Sequence, residues 1–415
     1  MSRLTTAIPS SERLHALDGV RGFALLLGIV LHATLSFVPA PTRFWFIQDT
    51  HQSVVLALVF FAIHVFRMTT FFLMAGFFAR MSFHRRGTWG FARDRLQRIA
   101  LPLVIGWPIV FAPMALVVIS ASKFPNGGPI PGAPGWPPVL PNFPLAHFWF
   151  LYVLLQLYAA MLLLRSAIVR LDGSGAIRAT LDWLVARIMR SPLGPAILAI
   201  PIGIAFSLDP KWINVMGVRT PDQSLVTNLQ ALIGFGTAFG FGWLLHRQPD
   251  LLRMLERRWL WNLLRAVGLI LISFMLAGMM LSTPGAPSLP VRADTLRLVA
   301  AALYALAIWV STFAVIGLAL RFMSGFSQTR RYIADASYWL YLIHMPIVMA
   351  LQLAVSQLDW PWSVKFSIIL VVALAVMLAS YHLLVRFTVV GLVLNGRRAP
   401  RQPVAAAAIT GPAAP

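Results

Sequence analysis

Ten apolar stretches of about 20 residues, set between short basic segments, limit what this chain can fold into. They run near 19–38, 53–79, 99–120, 146–164, 193–208, 225–246, 260–282, 298–320, 337–355 and 363–386. A stretch of roughly 20 apolar residues is long enough to cross a bilayer as a helix. In lipid the backbone must satisfy its own polar groups, and helices do so within one segment. Only 11% of the residues are charged and the mean hydropathy is +0.77. A soluble domain carries about a quarter charged residues. The expected fold is therefore an all-α polytopic membrane protein, a bundle of about ten transmembrane helices. The stretch 193–208 is short and holds Pro195 and Pro201, so a re-entrant path is open to it. The first stretch is too long for a signal-peptide core and contains Arg21, which reads as a retained helix.

The net charge is +21. Its distribution speaks for topology rather than nucleic acid. Segments on one side of the ten-span reading carry 24 Lys and Arg, and those on the other side carry 6. By the positive-inside rule both termini are expected in the cytoplasm, with the basic face toward anionic lipid. Residues 1–396 read as one transmembrane domain without an internal repeat. Residues 397–415, rich in Ala and Pro with a basic start, read as a disordered cytoplasmic tail. The segment 121–145 is rich in Pro and Gly. It serves as a stiff connector or as a lid over an outward site, with Trp136 as a sugar-stacking surface.

Ionisable side chains inside apolar stretches are expensive, and each one marks a candidate site. Arg21 and His32 are eleven residues apart, about three helical turns or roughly 16 Å, and return to one face. A fixed cation would then lie near one membrane surface and a proton acceptor near the other. Asp18 stands one turn from Arg21 and makes a structural pair credible. His64 and Arg67 share a face of the second stretch, and no carboxylate lies in that stretch to answer Arg67. That favours an anionic ligand for Arg67. His147 opens the fourth stretch beside Trp149, where anchoring at the interface is the competing role. His344 lies in the ninth, close to Tyr341. His64 and His344 have an equal claim to simple hydrogen-bond bridges between helices.

The chain has no cysteine, which excludes thiolate nucleophiles, disulfides and cysteine-bound metals. There is no G-x-S-x-G, no P-loop and no H-E-x-x-H, and the histidine spacing is no recognisable zinc pattern. No metal is expected. A histidine base that deprotonates a hydroxyl for attack on an activated acyl group needs no more than is present. Arginines suit phosphate and carboxylate forks. A coenzyme A thioester could rest its nucleotide at the Arg21 end and reach His32 through its pantetheine arm.

LHALDGVRGFALLLGIVLHATLSF resembles the first-span motif of the acyltransferase 3 family of membrane acyltransferases, an Arg followed by ten residues and a His. HVFRMTTFFLMAGFFAR, RDRLQRIALPLVIG, HFWFLYVLL and ASYWLYLIHMPIVM resemble four further blocks of that family, in order. Within it, the LLGIVLH, HVFRM and HFWFL runs resemble the members that succinylate periplasmic glucans. The resemblance implies about ten spans, an acyl-CoA co-substrate (succinyl-CoA or acetyl-CoA) from the cytoplasm, and a sugar hydroxyl as acceptor outside. It implies Arg21 and His32 as the essential pair, with His32 as base. Arg67, His147 and His344 fall at recurrent positions; with His64, Trp149 and Tyr341 they are the expected substrate contacts. One departure is Met74-Ala75-Gly76, where the family usually has a serine before the glycine. Either this chain manages without that hydroxyl, or the position needs only a small residue for close helix contact. The alternatives are O-acetylation of another envelope polysaccharide, a proton-coupled transporter, and a non-catalytic scaffold.

Overall fold

A computed structural model describes residues 10–40, 43–130, 133, 138–209, 212, 214–281 and 293–396. Trp136 and the tail 397–415 lie outside the described residues. Those described contain thirteen α-helices and no strand. In chain order they are α1 Ser10–Thr34, α2 Val54–Arg95, α3 Leu101–Ala121, α4 Trp149–Leu171, α5 Ala176–Arg190, α6 Gly194–Leu208 and α7 Leu229–Leu245. They continue with α8 Leu252–Arg257, α9 Trp259–Leu281, α10 Ala293–Phe322, α11 Gln328–Val355, α12 Trp362–Ser380 and α13 Val389–Asn395.

A helix answers each of the ten apolar stretches, and by length and apolarity alone seven to nine crossings qualify. Among the described residues seven helices are long and apolar enough, or nine if two bent pairs each make one crossing. These pairs are α5 with α6 and α7 with α8, each bent by 109°. The stretch 193–208 is thus the second arm of an angled pair, because α6 has only 15 residues. The run Val54–Ala121 enters that number once, yet it turns back on itself. Arg95 Nη2 donates to Ser82 Oγ at 3.2 Å and Arg86 pairs with Asp94. A straight helix would hold Ser82 and Arg95 about 20 Å apart. The reversal falls at Gly87, whose φ of 68° is left-handed and unstrained only for glycine.

Local chemistry fixes the helix starts. Ser53 Oγ accepts from Leu56 N at 3.3 Å, Asn228 Oδ1 from Ala231 N at 2.9 Å, and Ser327 Oγ from Arg330 N at 3.3 Å. Each satisfies an amide that the first turn leaves free. At the centre stands α10, with Tyr304, Trp309 and Ile316 almost wholly covered. It packs against α9, α6 and α2. The pair α2 and α7 approaches backbone to backbone: a side chain at Gly76 would strike the Phe239 carbonyl, and one at Gly242 the Leu73 carbonyl. Small residues permit such contact between membrane helices. The close approach in the Met74-Ala75-Gly76 motif is thus at the glycine itself.

One segment between spans carries unexpected order. Residues 176–190 form the amphipathic helix α5, with Val185, Ala186, Ile188 and Met189 buried and Trp183 exposed. Its Asp182 takes Arg247 from the end of α7.

Candidate active site

A cavity of about 940 Å³ opens between α1, α2, α3, α4 and α11, near the loop-bearing end of the bundle. His32, His64, Arg67, His147, Trp149, Tyr341 and His344 all line it. Seven residues from four separate sequence stretches thus converge. Arg21 and Asp18 do not. They lie at the other end of α1 and pair with each other at 3.2 Å, Arg21 39% and Asp18 47% exposed. The guanidinium also lies 5.6 Å from the Phe78 ring centre. The expected pair is therefore split: His32 is in the cavity and Arg21 is outside it. Along α1 the cavity wall runs from His32 back to Ala24, one turn short of Arg21.

The histidines form a file. The ring centre of His344 is 5.1 Å from that of His32 and 5.0 Å from that of His147. Backbone carbonyls set their tautomers, since a carbonyl can only accept. His147 Nε2 donates to Leu342 O at 3.1 Å and His344 Nδ1 to Tyr341 O at 2.7 Å. The second nitrogen of each neutral ring then carries a lone pair. Both of these nitrogens, His147 Nδ1 and His344 Nε2, are buried without a partner among the described residues, and so is His32 Nδ1. His64 is tethered likewise, its Nε2 donating to Met216 O at 2.8 Å. That bond ties α2 to the segment before α7. Tyr341 acts on the frame, its hydroxyl donating to the His147 carbonyl at 2.8 Å.

Arg67 stands one turn from His64 on α2. Its guanidinium lies across α1 at Gly28, where any side chain would collide with Nη1. Its Nε is buried and unpartnered, and no carboxylate among the described residues pairs with it. The walls around it are apolar: Leu25, Met68, Phe71, Phe150 and Met345. Among the described residues no three His, Asp or Glu side chains are grouped to hold a metal.

Three contributors escaped the sequence reading. Trp45 stacks on His32 with ring centres 6.2 Å apart and donates from Nε1 to Gln352 Oε1 at 3.0 Å. Gln352 in turn donates to the carbonyls of His32 and Ala33, at 2.9 and 3.2 Å. It holds the end of α1 against α11. A signal for Gln352 existed, since it is a polar amide in an otherwise apolar stretch. Trp45 lies in a connection with no period to mark it. Asp222 also lines the cavity, from the segment between α6 and α7.

The opposite end of the bundle is arranged differently. Asp94, 4% exposed, is met by Arg86, Arg95 and Arg98. Tyr338 of α11 donates to Arg98 O at 2.6 Å. This basic end is where Arg21 lies.

The bundle thus holds a cavity lined by four histidines and Arg67 toward one end and an arginine cluster around Asp94 at the other. A family model described as an acyltransferase domain matches residues 14–382. The glucans biosynthesis protein C of Salmonella paratyphi B (strain ATCC BAA-1250 / SPB7) is 28% identical over 152 residues, 37% of this chain and 38% of that protein. The glucans biosynthesis protein C of Salmonella heidelberg (strain SL476) matches to the same extent. The matched stretch thus spans well under half the length of these relatives. No solved structure matches.

Proposed function

Because this chain belongs to the acyltransferase 3 family of membrane acyltransferases, we propose that it moves a succinyl group from cytoplasmic succinyl-coenzyme A to hydroxyls of periplasmic glucan. The glucan acceptor rests on the name of the relatives and the orientation on the charge bias. The donor's phosphates meet Arg21 and the arginines around Asp94. The pantetheine arm follows the α1 wall from Ala24 toward Gly28, and the thioester rests by Arg67 and His32. His32 takes the proton of the sugar hydroxyl, whose oxygen attacks the thioester carbonyl. The C–S bond breaks as the ester forms, and the proton passes to the coenzyme A thiolate. Trp45 and Gln352 orient His32, and His344 stands next in line to share the proton.

The observation that carries the succinyl reading is Arg67, a cation in an apolar cavity with no carboxylate partner among the described residues. A buried charge without a counter-ion is strongly unfavourable. The free carboxylate of a succinyl group supplies that counter-ion, and an acetyl group does not.

The test is mass spectrometry of periplasmic glucans from a strain lacking the gene, complemented with wild type or with His32→Ala at equal membrane abundance. Succinyl groups restored by wild type alone support the reading. Removing a general base lowers the rate by roughly 10²–10⁴-fold, so His32→Ala glucans should be unmodified. Full rescue by His32→Ala rejects the base. Glucans unchanged in every strain reject the acceptor.

A further inference from the structure

From the rim of the cavity we infer a carbohydrate subsite, built by Asp222, Gln223 and Thr220 on one side and the ring of Trp107 on the other, that seats the sugar whose hydroxyl is acylated. This rests on the acyl-transfer reading above and adds residues to it.

One short stretch of backbone links the two walls. Phe143 N donates to Gln223 O at 3.1 Å and Ala146 N to Asp222 O at 2.9 Å. On its other flank Trp107 Nε1 donates to Pro144 O at 2.8 Å, and the Trp107 ring centre lies 4.6 Å from that of Phe143. The indole N–H is thus occupied, and the ring stacks at 13° on Phe111, centres 4.8 Å apart. Trp107 is fixed, and it lines the cavity. His147 follows Ala146, whose φ of 48° is uncommon for a residue with a side chain. The Asp222 carbonyl that holds Ala146 therefore connects the rim to the histidine file.

The side chains suit a polyol. The Asp222 carboxylate accepts from Thr220 Oγ1 and Gln223 Nε2, each at a long 3.3 Å. It makes no ion pair among the described residues; the nearby Arg219 is engaged by Asp209 at 3.0 Å. An ionised carboxylate offers about four acceptor sites, so lone pairs remain for sugar hydroxyls. Charge-assisted O–H···O⁻ bonds are short and strong. Gln223 and Thr220 add donors and acceptors of both kinds. The apolar surface that the stacked Trp107 and Phe111 rings present to the cavity would cover the C–H side of a pyranose. A few polar groups converging on mostly apolar walls is the usual form of a small-molecule site. Thr220, Asp222 and Gln223 belong to the segment after α6 and Arg67 to α2, so the acceptor and donor subsites draw on different elements of one cavity wall.

A structural role for Asp222 predicts the opposite stability result. Burial pushes the Asp222 carboxyl above its usual value. A raised carboxyl contributes stability at low pH that is lost as pH rises through its folded value. At neutral pH the ionised group is therefore a burden on the fold, and Asp222→Asn should leave Tm equal or higher.

The experiment uses the full-length protein in detergent or nanodiscs. It measures equilibrium binding of unsuccinylated periplasmic glucan and initial rates of succinyl transfer against glucan concentration. Asp222→Asn and Trp107→Ala should each weaken glucan binding at least tenfold and raise KM for glucan in step. Losing a hydrogen bond to a charged group accounts for a change of that size. Trp183→Ala, on the exposed face of α5, is the control and should bind as wild type. Wild-type binding and KM in both Asp222→Asn and Trp107→Ala would overturn the subsite and leave the acyl-transfer reading intact. A wild-type protein that neither binds nor acylates glucan would overturn both. A lower Tm for Asp222→Asn, with glucan KM unchanged, would assign Asp222 to the fold alone.

Discussion

Two buried cations, Lys365 and Arg67, face opposite circumstances. Lys365 on α12 is fully buried, and its ammonium donates to both oxygens of Asp49 at 2.9 Å. Asp49 also accepts from the His51 amide at 2.8 Å. The pair is closed, and it fastens the segment after α1 to α12. Arg67 on α2 borders a cavity, with no such carboxylate among the described residues. The difference separates a cation that holds the chain together from one that, on the proposal above, is kept for a ligand's carboxylate.

The largest test of that contrast is Lys365→Ala. Breaking a buried pair strands the other charge and costs about 3–5 kcal/mol. Thermal melting of the purified protein should show a large fall in Tm. The double variant Lys365→Met with Asp49→Asn should recover much of it, because neither charge is then stranded. A Lys365→Ala protein as stable as wild type would break the comparison on its structural side.

Arg67→Ala comes next and should behave in reverse. Tm should hold or rise, since an unpaired buried charge is removed. Succinyl transfer should fall by about 10- to 100-fold, the worth of one or two charge-assisted hydrogen bonds, and acetyl transfer by much less. Equal losses with the two donors would mean that Arg67 serves the coenzyme rather than the acyl carboxylate. Gly28→Ala sharpens the same point without touching the charge. Its methyl group would occupy the place of the Arg67 guanidinium. Discrimination between succinyl and acetyl donors should drop by roughly 3- to 10-fold, consistent with a displacement worth about 1 kcal/mol. Unchanged discrimination would show that the guanidinium has room elsewhere.

Much of this site was legible in the sequence because polar residues stand out against apolar stretches. His32, His64, Arg67 and His344 are visible as exceptions to their surroundings, and the cavity gathers all four. His147, Trp149 and Tyr341 followed from their neighbours and from the family blocks. The number of crossings was less legible. Apolar length cannot say where a helix bends, and the 109° angles at α5–α6 and α7–α8 fall at breaks that hold Pro192 and Pro249. The reversal at Gly87 was hidden for a related reason. One left-handed glycine redirects the chain, and in sequence it is one glycine among 28. Asp222, Trp45 and Trp107 were missed because their roles depend on contacts across the fold. Asp222 lies in a polar connection, where an aspartate is unexceptional.

The smallest expected effect on stability belongs to Arg21, and it tests where the contrast between paired and unpaired cations ends. Arg21 is paired, as Lys365 is, yet both members of its pair are more than a third exposed. Exposed pairs contribute about 0–1 kcal/mol, so Arg21→Ala should barely move Tm. An exposed arginine can exchange Asp18 for a phosphate at little loss, which Lys365 cannot do with Asp49 sealed around it. The expected result is therefore selective: KM for succinyl-coenzyme A rises several-fold while KM for glucan stays near wild type. Initial rates with each substrate varied in turn would separate the two. A rise in the glucan KM alone would place Arg21 on the acceptor's path. A large fall in Tm would make the Asp18–Arg21 pair a staple like the one at Lys365, and burial would then no longer distinguish structural cations from functional ones in this bundle.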